Sequence, residues 1–146
     1  MKEPEIFSLK DCPLEGATLI EASAGTGKTY AITGLFIRLL LEKRLEAGRI
    51  LVMTFTEAAT AELRERIRSK IREALTAFSG GQVEDDFIRD LLDAPVEPRE
   101  ARSLLLRALR TFDQAAIFTI HGFCRRVLRD RAFESGSLFD TELVTE

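Results

Sequence analysis

The feature that most constrains this chain is ASAGTGKT, residues 22–29, set between a short apolar run and a helical pattern. It is a phosphate-loop (Walker A) pattern with Ala22 in place of the first glycine. The chemistry explains the spacing. A polyphosphate needs several backbone N–H groups converging on it, and glycines let the backbone come close. A helix that starts directly after the loop points its positive end at the same place. Lys28 can then reach the outer phosphates, and Thr29 can place its hydroxyl on a Mg²⁺ ion carried by the nucleotide. A Gly-rich turn that merely joins strand to helix has little reason to put Lys-Thr right after its last glycine. The expected nucleotide-binding set is Ser23, Ala24, Gly25, Thr26, Gly27, Lys28, Thr29 and Tyr30, with Lys28 and Thr29 the catalytic candidates.

The surrounding pattern fits that loop. Residues 17–22, ATLIEA, read as a buried strand bounded upstream by Pro13 and Gly16. After the loop, Ala31, Ile32, Leu35, Phe36, Leu39 and Leu40 give a helix one apolar face, with Gly48 a plausible stop. Residues 50–55, ILVMTF, read as a second strand. A long helix follows from Glu57 to about Phe78, striped by Leu63, Ile67, Ile71, Leu75 and Phe78 and ended by Gly80-Gly81. Residues 80–100 form an acidic excursion with a short helix near 85–92. Residues 99–112 read as helix, 115–120 as a third strand, and 122–132 as a basic helix; the tail from Glu134 is acidic and weakly patterned. Strand, Gly-rich turn, helix, strand, helix is a βαβ grammar, which predicts an α/β fold with a parallel sheet and flanking helices.

Composition bounds the rest. At 146 residues, 45% hydrophobic and 31% charged, the chain suits one globular domain and excludes a disordered tail or a disulfide-stapled miniprotein. The net charge of −3 means that any nucleic-acid binding must come from a local patch. Cys12 and Cys124 match no metal spacing and read as reduced thiols, which suggests a cytoplasmic protein. The N-terminal MKEPEIFSLKD lacks a signal-peptide pattern, and residues 31–37, the longest uncharged apolar stretch, are too few to span a membrane.

Two more blocks narrow the function: ILVMTFTEAATAELRERI, residues 50–67, and AAIFTIHGFCRRVL, residues 115–128. With LIEASAGTGKT, residues 19–29, they resemble UvrD/Rep-type superfamily 1 DNA helicases, and within them the RecB-type helicase–nuclease subunits. The resemblance implies a P-loop NTPase (RecA-like) fold. Residues 1–146 would be the N-terminal part of the first RecA-like ATP-binding domain of a larger protein. It implies ATP with Mg²⁺ as cofactor, single-stranded and duplex DNA as partner, and RecC-like and RecD-like subunits in the parent complex. The parent activity would be that of an ATP-dependent helicase and exonuclease in double-strand break repair and recombination. The resemblance also sets Thr54, Phe55 and Thr56 in a single-stranded DNA groove, with Phe55 a ring on which a base can stack. The turn at Thr119, Ile120, His121, Gly122 and Phe123 would form the DNA-facing wall of the same domain.

From the residues alone, several roles stay open. Phe55 could be the last core residue of its strand, Thr56 a helix N-cap, and His121 a capping histidine. Arg125, Arg126, Arg129 and Arg131, against Asp130 alone, could contact phosphates or form a solvated face. Arg64, Arg68 and Arg72, interleaved with Glu65 and Glu73, read as a solvated, salt-bridged row. No apolar strand ends in the Asp-Glu pair that would hold the metal and activate water, since Asp85-Asp86 and Asp140 lack such a strand. The chain itself is therefore expected to bind ATP and single-stranded DNA without appreciable turnover. The alternatives are another P-loop NTPase, such as a small-molecule kinase, or a non-catalytic nucleotide- or DNA-binding module.

Overall fold

A computed structural model describes residues 6–23 and 27–131. The order of elements is α1 (Lys28–Glu42), β1 (Leu51–Thr54), α2 (Glu57–Phe78), α3 (Asp86–Leu91), α4 (Pro98–Arg110), β2 (Ala116–Thr119) and α5 (Ile120–Asp130). β1 and β2 pair in parallel, from Leu51 opposite Ala116 to Thr54 opposite Thr119. The crossover between them carries α2, α3 and α4. The expected α/β architecture with a parallel sheet is therefore present.

Two strands cannot hold together unaided, so a helix must cover them. α2 does this. Its buried stripe of Leu63, Ile67, Ile71, Ala74 and Phe78 recurs every three or four residues along one face. Val52 and Ile117 meet the core from the sheet, whereas Leu51 and Met53, on the opposite face of the pleat, stay exposed. α1 adds Phe36, Ile37, Leu40 and Leu41, and α4 adds Ala101, Leu105 and Ala108. The helix starts are chemically specified. The Thr56 hydroxyl accepts from Ala59 N–H at 3.1 Å, and Glu97 accepts from Glu100 N–H at 2.9 Å with Pro98 just inside.

Four expectations need correction. Residues 17–22 form no strand, and Leu19 is 84% exposed. A strand exists through its partner, and β1 and β2 pair with each other while this segment pairs with neither. α1 ends at Glu42, well short of Gly48; Arg44 turns the chain with φ 53, and the buried face includes Ile37 and Leu41 while Ile32 points outward. α5 starts at Ile120, because the Thr119 hydroxyl already caps it through Gly122 N–H at 3.0 Å. The arginine row of α2 is not uniformly solvated. Arg64 donates to the Ile117 carbonyl at 3.0 Å, and Arg68 lies over the Phe112 ring, 5.4 Å from its centroid. Only Arg72 approaches an acid of the row, Glu65 at 3.9 Å, since the first two lie beside β2 and the turn before it. The acidic tail from Glu134 and Ala132 lie outside the described residues.

Two polar clamps fasten α1 to its surroundings. The buried Arg38 guanidinium bonds the carbonyls of Leu9 (2.9 Å) and Cys12 (2.6 Å) and pairs with Glu42 in two parallel bonds. This holds the N-terminal segment on α1, where Leu9 crosses so closely over Gly34 that an added Cβ would lie 2.3 Å from its Cδ2. The second clamp is on α1's first turn. Tyr30 Oη donates to Asp85 Oδ1 at 2.9 Å, and Lys70 Nζ reaches Asp85 Oδ2 at 2.6 Å and Glu73 at 2.9 Å. Lys70 also sits 5.1 Å from the centroid of the Tyr30 ring, whose edge meets Phe87.

These groups perturb one another. Burial, with added weight from the Asp85 carboxylate, pushes the Tyr30 phenol up to about 12. Burial would raise Asp85, but bonds from Lys70, the Ile88 N–H and Tyr30 outweigh it and hold its carboxyl below the ordinary range. Burial would lower Lys70, but Asp85 and Glu73 hold its ammonium above the usual value. A raised phenol contributes stability that is whole below its ordinary 10.0 and is lost as pH rises through about 12. Tyr30 is the sole tyrosine and the chain has no tryptophan, so phenolate absorbance reads it alone. The native chain should titrate near 12 and the urea-unfolded chain near 10.0; a native midpoint near 10.0 would show that the clamp does not form.

Candidate functional site

Of the nucleotide candidates, Gly27, Lys28, Thr29 and Tyr30 open α1. Gly27 precedes the helix with φ 89, a backbone conformation that a Cβ would strain. As a glycine it has no side chain to cap the helix, and none of the first-turn residues is acidic. Among the described residues no side chain caps the first N–H groups of α1, and the dipole favours an anion there. Lys28 is exposed, and its Nζ donates to the Ala22 carbonyl at 2.8 Å. Thr29 follows in the first turn, half-buried. Ser23 is exposed at the other end of the loop. Ala24, Gly25 and Thr26 lie outside the described residues. The Tyr30 side chain is turned to Asp85, which leaves its backbone N–H as the group facing the helix end. This start of a 15-residue helix fits a phosphate group by its donors and by its charge.

The second cluster forms where both strands end. Thr54 closes β1, and its hydroxyl bonds the Thr60 hydroxyl at 2.6 Å and the Thr56 carbonyl at 3.1 Å. Between them Phe55 is thrown outward with 87% of its surface exposed, so it is not the strand's last core residue. Thr56 is an N-cap, as its position suggests. Thr119 closes β2, caps α5, and donates to Glu57 Oε1 at 3.0 Å, which ties the two capped turns together. Ligands of parallel α/β sheets collect at this carboxyl edge. His121 and Gly122 lie in the first turn of α5, His121 exposed and Gly122 half-buried, with Phe123 half-buried behind them.

α5 itself buries none of its residues, and its cationic side is open. Gly122, Arg125, Arg126, Arg129 and Asp130 line a shallow groove. The Arg126 guanidinium lies 5.2 Å from the centroid of the Phe118 ring and 3.6 Å from Asp130. Arg125 is exposed. The structure thus brings Thr54, Phe55 and Thr56 to one sheet edge with the His121 turn, and adds Glu57, Thr60 and Phe118, which the sequence had not singled out. A Thr followed three residues later by a helical N–H was a readable cap signal at Thr119. The Glu57 contact depends on strand register and had no local signal. No group of three or more metal-ligating side chains occurs among the described residues. No helix among them is long and apolar enough to cross a membrane.

Comparison with known proteins places the chain in a family. The RecBCD enzyme subunit RecB of Escherichia coli K12 is 48% identical over 142 residues, covering 92% of this chain and 12% of that protein. The same subunit of Haemophilus influenzae Rd is 46% identical over 149 residues, again with 92% of this chain and 12% of the relative. That of Mycobacterium tuberculosis CDC 1551 is 41% identical over 137 residues, 90% of this chain and 12% of the relative. The chain thus spans about an eighth of the length of these relatives. The UvrD/REP helicase N-terminal domain matches residues 6–145, and the chain belongs to that family.

Proposed function

We propose that this chain is the ATP-binding portion of an ATP-dependent DNA helicase and exonuclease subunit that acts in double-strand break repair and recombination. The observation that carries the reading is the start of α1, where Gly27 at φ 89 opens a helix whose first turn offers Lys28 and Thr29. Residues 1–146 would form the N-terminal part of the first RecA-like domain. ATP would lie on Ser23, Ala24, Gly25, Thr26, Gly27, Lys28, Thr29 and the Tyr30 N–H, with Mg²⁺ carried by the nucleotide against the Thr29 hydroxyl. ATP hydrolysis in the parent would supply the free energy for movement along DNA. Lys28 here neutralises the outer phosphates, and the helix end orients them.

Single-stranded DNA would cross the carboxyl edge of the sheet. Phe55 offers a ring face that any base can take, and His121, Gly122 and Phe123 form the adjoining wall. Thr54 and Thr56 hold the Phe55 turn rigid through their hydroxyls. Arg125 and Arg126 would meet the backbone phosphates, so affinity should fall with added salt. The relatives are named as RecBCD subunits, and RecC-like and RecD-like partners of the parent follow from that likeness. Binding is proposed without appreciable turnover by this chain. β1 runs into Thr54, Phe55 and Thr56 and β2 into Thr119, Ile120 and His121, so neither described strand ends in the carboxylate pair that holds the metal and orients water.

Two substitutions test this. Lys28→Ala should weaken binding of a fluorescent ATP analogue at least about tenfold, because it removes a charge-assisted bond to phosphate; equal affinities would refute the nucleotide site. Phe55→Ala should weaken oligo(dT) binding by about 1–3 kcal/mol with unchanged circular dichroism, since the ring is exposed and supports no core. Unchanged DNA affinity would remove Phe55 from the interface.

A further inference from the structure

The cluster formed by Tyr30, Lys70, Asp85 and Glu73 is oddly placed for a merely structural ion pair. The side chains of Lys70 and Asp85 are only 13% and 14% exposed, so their charges are largely withdrawn from water. Asp85 accepts from the hydroxyl of Tyr30 and Lys70 lies over its ring, in the same helical turn as Lys28 and Thr29. That turn is also closed from within by the Thr33 hydroxyl, which donates to the Tyr30 carbonyl at 2.9 Å. The supports come from different elements: Lys70 from α2, and Asp85 with Phe87 from the start of α3. α3 in turn is anchored by Phe87, Ile88 and Leu91, all buried.

We propose that Tyr30, Asp85 and Lys70 form a positioning chain that sets the direction of α1's first turn and thereby the affinity of the phosphate loop for nucleotide. This rests on the nucleotide site proposed above and adds a control that the loop motif does not contain. Two tethers pull on one turn. Lys28 Nζ reaches back to the Ala22 carbonyl, while Tyr30 Oη reaches sideways to Asp85. A helix terminus stabilises an anion through N–H groups that must point at it, and the effect fades within one turn. Small rotations of this turn therefore change the donor geometry. Lys70 has a second task. It neutralises Asp85, whose charge would otherwise stand beside a site meant for phosphates. Tyr30 is 43% exposed, so removing its hydroxyl opens no cavity in the core.

The test is a double-mutant cycle on the full 146-residue chain, read by titration with a fluorescent MgATP analogue. Tyr30→Phe removes only the hydroxyl. Asp85→Ser keeps a good cap for α3 but cannot reach Tyr30 or Lys70. Each should weaken nucleotide binding about 3- to 10-fold, the range of one lost ordinary hydrogen bond, since the tether acts on the site only through the helix turn. The double variant should be no weaker than the poorer single variant, because both remove one link. Oligo(dT) affinity, measured in parallel, should stay within about twofold of wild type. Should Asp85→Ser fail to fold, Lys70→Met takes its place in the cycle. Nucleotide affinity unchanged by Tyr30→Phe and by its partner variant, with Lys28→Ala still weak, would overturn the positioning role and leave the nucleotide site standing. Equal losses of nucleotide and DNA affinity would also overturn it, by showing general destabilisation. Lys28→Ala binding like wild type would remove the nucleotide site and this inference together.

Discussion

A parallel pair of four-residue strands has too little surface to persist without cover, and the whole arrangement depends on how α2 supplies it. Its stripe from Leu63 to Phe78 lies across Val52 and Ile117 on one side and against α1 and α4 on the other. Burying each large aliphatic in that stripe is worth about 1.5–3 kcal/mol. Because Thr56 starts this helix immediately after β1, the packing that holds the sheet also fixes the turn on which Phe55 stands. The same logic operates at β2, where Thr119 both ends the strand and starts α5. Register then does the rest: Thr54 pairs with Thr119, so the two turns emerge side by side and Glu57 can bridge them.

Charge is distributed around this frame with little waste. The chain is acidic overall; some of its arginines pair with surface acids, such as Arg44 with Glu100 and Arg66 with Glu62, and others have different surroundings. Arg38 is buried and satisfies backbone carbonyls of the N-terminal segment. Arg64 and Arg68 pack on β2 and Phe112. Arg125 and Arg126 remain on the open side of α5 beside the sheet's carboxyl edge. The acids Asp85 and Glu73 gather around Lys70, which offsets their charge beside the first turn of α1. A net charge of −3 is thus compatible with a local cationic face on α5 and with an uncapped, acid-free first turn of α1.

Much of this was legible in the residues. The period of Leu63, Ile67 and Ile71 predicted α2 nearly to its last residue, and Thr56 announced its cap. The three motif blocks led to the helicase family directly. What local pattern could not supply was partnership. ATLIEA has the composition of a strand, but pairing is a property of two segments, and among the described residues it has none. α5 starts two residues before Gly122, because Thr119 changes the backbone direction while Ile120 still continues an apolar run. Phe55 could not be separated from the core by alternation alone, since one residue past a strand end the pleat no longer governs orientation. The Tyr30–Asp85 bond links positions 55 apart, and Arg64 and Arg68 meet neighbours that lie far along the chain. None of these has a short-range signature.

The central claim is that one chain carries two separate anion sites, a nucleotide on the first turn of α1 and DNA on the carboxyl edge of the sheet. Amide hydrogen exchange with each ligand measures this most directly. MgATP should slow exchange at residues 27–31 and leave 119–126 unchanged, while oligo(dT) should slow exchange at 55–60 and 119–126 and leave 27–31 unchanged. Protection of the same amides by both ligands, or of neither segment, would contradict the account.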